Sequence, residues 1–139
     1  MDLIKKDDSL HFRYITFPFF ILYNEPYKSK LSNNAKLLYA LILDRLKLSI
    51  KNKFYNEKGE VFAYISRKEV QQILNCSDRT ATKLFNELAN LKLIYEDRKH
   101  IGQTTKIFVC SFGVVSDAVT ELYAIFKECL KMEFSKKRN

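Results

Sequence analysis

Hydrophobic positions follow two rhythms along this chain. Leu38, Leu41, Ile42 and Leu46 recur at steps of three and four, the spacing of one helix face. Leu37, Ala40 and Leu43 carry apolar character round most of the circumference, which predicts a helix touched from several sides. Ser32 supplies a hydroxyl to cap that helix, which starts at Asn33 and ends near 49–52. Upstream, residues 10–23 are aromatic and interrupted by Pro18, predicting a short strand and then an irregular or single-turn segment. Residues 24–30 read as a loop, because Pro26 disfavours helix in the residue before it.

Downstream the rhythm shortens. Asn56, Glu57, Lys58 and Gly59 make a turn leading into a β-type run at 60–65. Ser66 with Glu69 three residues later is a capping-box pattern, opening a helix at about 67–74 that buries Val70, Ile73 and Leu74. Asn75, Cys76 and Ser77 interrupt it, and Ser77 caps a further helix at 78–91 with Asp78 at the positive end of its dipole. Residues 93–96 read as a strand, 97–104 as a charged hairpin tip and 105–109 as the returning strand. Ser116 caps a last amphipathic helix bearing Val119, Leu122, Phe126, Cys129 and Leu130, before a charged tail at 136–139.

The fold class expected from this order is mainly α with a small β-hairpin (α+β), a winged helix-turn-helix with an additional C-terminal helix. The divisions are an aromatic-rich N-terminal extension at 1–31, the winged helix-turn-helix at 32–112, an amphipathic helix at 113–131 and a basic tail at 132–139.

Composition narrows the function. The 139 residues carry 24 Lys plus Arg against 16 Asp plus Glu, a net charge of +8 that favours polyanionic partners. The 3 glycines lie far apart, which excludes a dinucleotide fingerprint or a phosphate-binding loop. No apolar run approaches the roughly 20 residues of a membrane span, and the acidic start is unlike a secretory signal. Cys76, Cys110 and Cys129 stand beside apolar neighbours and read as core thiols of a reduced, cytoplasmic protein. His11 and His100 are widely separated, and no nucleophile or metal-ligand motif is present, so neither enzyme, cofactor nor metal site is expected. Asp44 and Arg45 read as ion-pair members, not catalytic groups.

Helix-turn-helix units place their second helix in a major groove. At 100° per residue, Ala81, Leu84, Phe85, Leu88 and Leu91 share one side of the helix at 78–91. Arg79, Lys83, Asn86 and Asn90 share the other, with Thr80 and Thr82 flanking and Ser77 at the start. Arg can bond guanine through two acceptors, Asn can pair with adenine, and Lys or Thr can hold phosphate. Arg98, Lys99, His100, Gln103 and Lys106 on the hairpin suit a phosphate backbone or a minor groove. Lys47, Lys51 and Lys53 could add backbone contacts. A solvated helix face would also be polar. The capped helix before it and the basic hairpin after it favour double-stranded DNA as partner.

These segments also resemble a known family. Leu31-Ser32-Asn33-Asn34-Ala35-Lys36-Leu37-Leu38-Tyr39-Ala40-Leu41-Ile42-Leu43-Asp44-Arg45 is similar to a signature of the N-terminal domain of RepA_N-type plasmid replication initiators. Leu48-Ser49, Asn52, the string from Asn56 through Gly59 to Phe62, the string from Asn75 through Arg79 to Leu84, Glu87-Leu88 and Leu93-Ile94 continue the likeness, which covers roughly 17–112. The resemblance implies a winged helix binding repeated sites at a replication origin of low-GC Gram-positive plasmids. The helix at 78–91 would be its recognition helix and the segment 98–106 its wing. It further implies host replication proteins as partners when a C-terminal domain follows. This sequence departs from the family where Lys92 replaces a common Gly, where Phe54 stands near a usual Trp, and where Gly102-Gln103-Thr104 replaces a Gly-Lys-Pro-like wing.

Two rival readings bear weighing. A short standalone winged-helix regulator or protein-interaction module of a mobile element would use the last helix for docking. That helix's stripe could also pair two copies, and a homodimer would suit inverted half-sites. A single-strand binder would need exposed aromatics beside the basic face, whereas most aromatics here hold apolar periodic positions.

Overall fold

The structure, a computed structural model, describes residues 1–9, 11–98 and 105–110. Its elements in chain order are α1 (Phe19–Tyr23), α2 (Tyr27–Lys30), α3 (Asn33–Lys51), β1 (Phe62–Tyr64), α4 (Arg67–Leu74), α5 (Asp78–Asn90), β2 (Ile94–Asp97) and β3 (Lys106–Val109). The strands form one antiparallel sheet in the order β1-β3-β2, with Phe62 opposite Phe108 and Ile94 opposite Val109. A helix-turn-helix inserted between the first strand and a β2–β3 hairpin is a winged helix-turn-helix, as the residue pattern predicts. The amphipathic helix expected after Ser116, the tail and most of the hairpin tip lie outside the described residues.

Serine hydroxyls start the long helices. Ser32 Oγ accepts from Ala35 N at 3.2 Å, Ser66 Oγ from Glu69 N at 3.1 Å and Ser77 Oγ from Thr80 N at 3.2 Å. The capping box at Ser66 is only half made. Glu69 Oε2 turns to Arg45 Nη2 at 2.9 Å instead of returning to the cap amide, because Arg45 reaches across from α3. Arg45 also donates to the Tyr64 carbonyl at 3.1 Å, so it is the ion-pair member expected and ties α3 to both β1 and α4.

Helix ends follow one plan as well. Asn75, directly after α4, and Lys53 and Lys92, one residue past the ends of α3 and α5, take φ of 51°, 59° and 59° in the left-handed region. After α5, Leu93 N reaches back to Leu88 O and Lys92 N to Ala89 O, each at 3.0 Å, a Schellman closure. Phe54 N to Ser49 O at 2.9 Å closes α3 the same way. Glycine is the usual residue at such a position, so Lys92 bears strain there.

Two expectations for residues 10–30 are corrected. No strand forms among the described residues of 10–23; the chain stays irregular and then enters α1 behind Pro18. The stretch read as a loop contains α2, entered through a cis Glu25–Pro26 bond, with Lys30 N donating to Pro26 O. Core packing explains both. Phe20 meets the Tyr27 ring edge-on at 5.3 Å and the Tyr39 ring at 6.0 Å, so two short turns form around a shared aromatic centre. Phe20, Ile21, Tyr27 and Leu31 therefore belong to the same core as Leu38, Tyr39, Ile42, Phe85 and Ile107, although sequence alone sets 1–31 apart as an extension.

The third correction concerns α4. Val70 is fully buried and Leu74 half-buried, but Ile73 is 50% exposed. Eight residues present one narrow face to α5, and Ile73 lies off its edge.

Candidate nucleic-acid interface

Residues of α5 divide sharply by side. Ala81, Leu84, Phe85 and Leu88 are buried in the core, and Leu91 is half-buried. Arg79, Lys83, Asn86 and Asn90 are exposed, and Thr80 and Thr82 half-buried. The exposed four form no side-chain hydrogen bond or ion pair with the described residues, so their donors are free for a ligand. Ser77 and Thr80 are already engaged with each other, Ser77 Oγ donating to Thr80 Oγ1 at 3.0 Å. Ser77 is thus first a helix cap, and any phosphate contact from it would compete with that bond. Asp78 takes a hydrogen bond from Gln71 Nε2 at 3.2 Å, joining the two helices across their turn.

Polar clasps hold α5 against its surroundings. Glu87 grips the start of α3, accepting from Ser32 N and from Ser32 Oγ, both at 2.9 Å. A carboxylate there also complements the positive end of the α3 dipole. The Arg67 guanidinium lies 3.7 Å from the centre of the Phe85 ring, a stacked cation–π contact. The same Arg67 bonds Glu96 Oε2 at 2.8 Å. Sequence reasoning missed Arg67, Glu87 and Glu96. The one available signal was an acid at 96 beside apolar Ile94, at a strand position facing inward.

Of the hairpin cations, the described pair Arg98 and Lys106 face opposite ways. Successive strand side chains point to opposite faces, and the register puts Glu96 in a row with Ile107 and Ala63, while Asp97 shares its row with Lys106 and Tyr64. Arg98 follows Glu96 on the inner face, its Nη2 at 2.8 Å and its Nε at 3.1 Å from Glu96 Oε2. Lys106 is on the outer face with its Nζ 4.6 Å from the centre of the Phe62 ring. The sequence reading groups them because both flank the tip; strand alternation separates them. Lys99, His100 and Gln103 lie outside the described residues. Among the remaining lysines named above, Lys47 donates to Thr16 Oγ1 at 2.9 Å, whereas Lys51 and Lys53 are exposed.

Among the described residues no group of three or more His, Cys, Asp or Glu could hold a metal ion, and no helix is long and apolar enough to cross a membrane. Cys76 and Cys110 are free and half-buried, and burial raises the Cys110 thiol pKa, keeping it protonated. Cys129 lies outside the described residues.

The fold, with the polar face of α5 exposed, is that of a winged helix-turn-helix. The profile of the RepA_N family, the N-terminus of replication initiator protein A, matches residues 13–122, and the chain belongs to that family. Solved structures agree. One described as the N-terminal domain of a DNA binding protein is 31% identical, with a TM-score of 0.61 over 71% of this chain and 75% of its own. A Rep–DNA complex gives the same values, 31% identity and a TM-score of 0.61 over 71% of this chain and 75% of that one. An MDR initiator is 32% identical, with a TM-score of 0.59 over 71% of this chain and 77% of that one. No functionally curated protein matches the chain.

Proposed function

We propose that this chain is a sequence-specific, duplex-DNA-binding domain of a plasmid replication initiator that occupies repeated sites at an origin. In this reading α5 enters a major groove, Arg79, Lys83, Asn86 and Asn90 meet base edges and phosphates, and the β2–β3 wing lies on the backbone or in a minor groove. The observation that carries it is the free polar face of α5, held outward by a buried opposite face, in a chain similar to a protein solved as a Rep–DNA complex. The +8 net charge supports the same partner. No catalytic step, cofactor or metal enters the reading, and the cytoplasm, where plasmids replicate, is its compartment. Pairing of two copies and contact with host replication proteins extend it, and both concern residues beyond those described.

Selection of duplexes from a random pool, followed by footprinting, tests the reading. Arg79→Ala or Lys83→Ala should cost about 1–3 kcal/mol of affinity for the selected duplex where the lost contact is to a base, with the circular dichroism spectrum unchanged. Log affinity should fall against log salt with a slope of about −0.9 per phosphate neutralised. Absence of protection on any duplex at low ionic strength sinks the reading.

A further inference from the structure

Glu96 occupies an unusual place. Its side chain is only 9% exposed, yet it sits at the root of a cationic wing and accepts from two guanidiniums on the same oxygen, Arg67 and Arg98, each at 2.8 Å. Arg67 belongs to α4 and lies against Phe85 of α5, so an unbroken series of contacts runs from the recognition helix through α4 to the wing. Arg98 is the outer end of that series, with 58% of its side chain exposed.

We infer that Glu96 is a positioning residue that yokes the wing to the recognition helix and sets how strongly the domain prefers its own site over unrelated duplex. This rests on the duplex-binding reading above. Non-specific binding is almost wholly a matter of cations meeting phosphates, whereas a specific complex also needs helix and wing in one fixed relation. Arg98 bonded to Glu96 is withheld from any passing phosphate. It exchanges its carboxylate for a phosphate only where the remaining contacts are in place to repay the exchange. Arg67 keeps Glu96 from following Arg98, because its guanidinium is stacked on Phe85 at the same time. The acid therefore weakens indiscriminate binding and holds the wing at the angle that α5 dictates.

The test uses the full chain, a duplex selected from a random pool, and a mixed-sequence duplex of equal length. Glu96→Gln keeps the shape but removes the negative charge that holds Arg98, loosening its hold on that guanidinium. The expected result is tighter binding to the mixed duplex, a salt slope steeper by about 0.9, and at least a tenfold fall in the ratio of selected to mixed affinity. Arg98→Gln should then cost more mixed-duplex affinity in the Glu96→Gln background than in the unaltered chain. Equal shifts on both duplexes, or a lower melting temperature with the ratio intact, overturn the inference while leaving duplex binding standing. Should Glu96→Gln fail to fold, Glu96→Asp, which keeps the charge but draws the carboxylate back from Arg98, must lower the ratio in the same direction; an unchanged ratio overturns the inference. An unaltered chain that selects no duplex overturns the duplex-binding reading itself and this inference with it.

Discussion

The two helices of the helix-turn-helix are held by different forces. α5 sinks Ala81, Leu84, Phe85 and Leu88 into the core, while α4 fully buries only Val70 among its apolar residues. α4 is fixed instead by charges in its first turn, Arg67 to Glu96 and Glu69 to Arg45. Packing responds little to salt, whereas the part-exposed Arg45–Glu69 pair is screened and contributes about 0–1 kcal/mol; Arg67–Glu96, its acid only 9% exposed, is screened less. The helix proposed to meet a polyanion is thus anchored chiefly by the force that a changing ionic atmosphere disturbs least. The supporting helix has the adjustable attachment.

That contrast can be broken at its strongest point. Phe85→Ala removes the buried ring of α5 and the platform under Arg67, and should cost about 3–5 kcal/mol in denaturant unfolding. A loss under about 1 kcal/mol would mean that α5 is not the packed element. The helix ends give a smaller and opposite effect. Lys92→Gly after α5 relieves a left-handed lysine and should raise stability by about 0.5–1 kcal/mol net of the extra freedom of the unfolded chain, read as a higher melting temperature. Asn75→Gly after α4 should gain less, since asparagine visits that region readily. Smallest of all, Ile73→Gln on the open side of α4 should stay within about 0.5 kcal/mol of the original. A larger loss there would show that the side chain is covered in solution.

Sequence legibility follows the same physical division. Starts of α3, α4 and α5 could be read from Ser32, Ser66 and Ser77, because a cap acts within three residues. The polar side of α5 could be read because helical periodicity alone separates it from Leu84 and Leu88. α1 and α2 could not, since what folds them is the contact of Phe20 with Tyr27 and with distant Tyr39, and a proline-broken aromatic stretch has no period of its own. The ties of Glu96 to Arg67 and of Glu87 to Ser32 span 29 and 55 positions, beyond the reach of any local pattern. Among the hairpin cations, composition was legible but the facing of Arg98 and Lys106 depends on register.

Tyr39 has a consequence of its own at the centre of the domain. Its ring is wholly buried and its hydroxyl has no hydrogen-bond partner among the described residues. Burial, with Cys110 and Tyr27 adding to it, pushes the phenol far above its usual pKa of 10.0. In alkali the unfolded chain can shed that proton and the folded one cannot. The contribution of this group is therefore whole well below pH 10 and drains away above it, at a rate approaching about 1.4 kcal/mol per pH unit. Tyr39→Phe should flatten that part of the alkaline limb in melting curves recorded from pH 9 to pH 12, so that one buried oxygen atom carries a share of the domain's sensitivity to base.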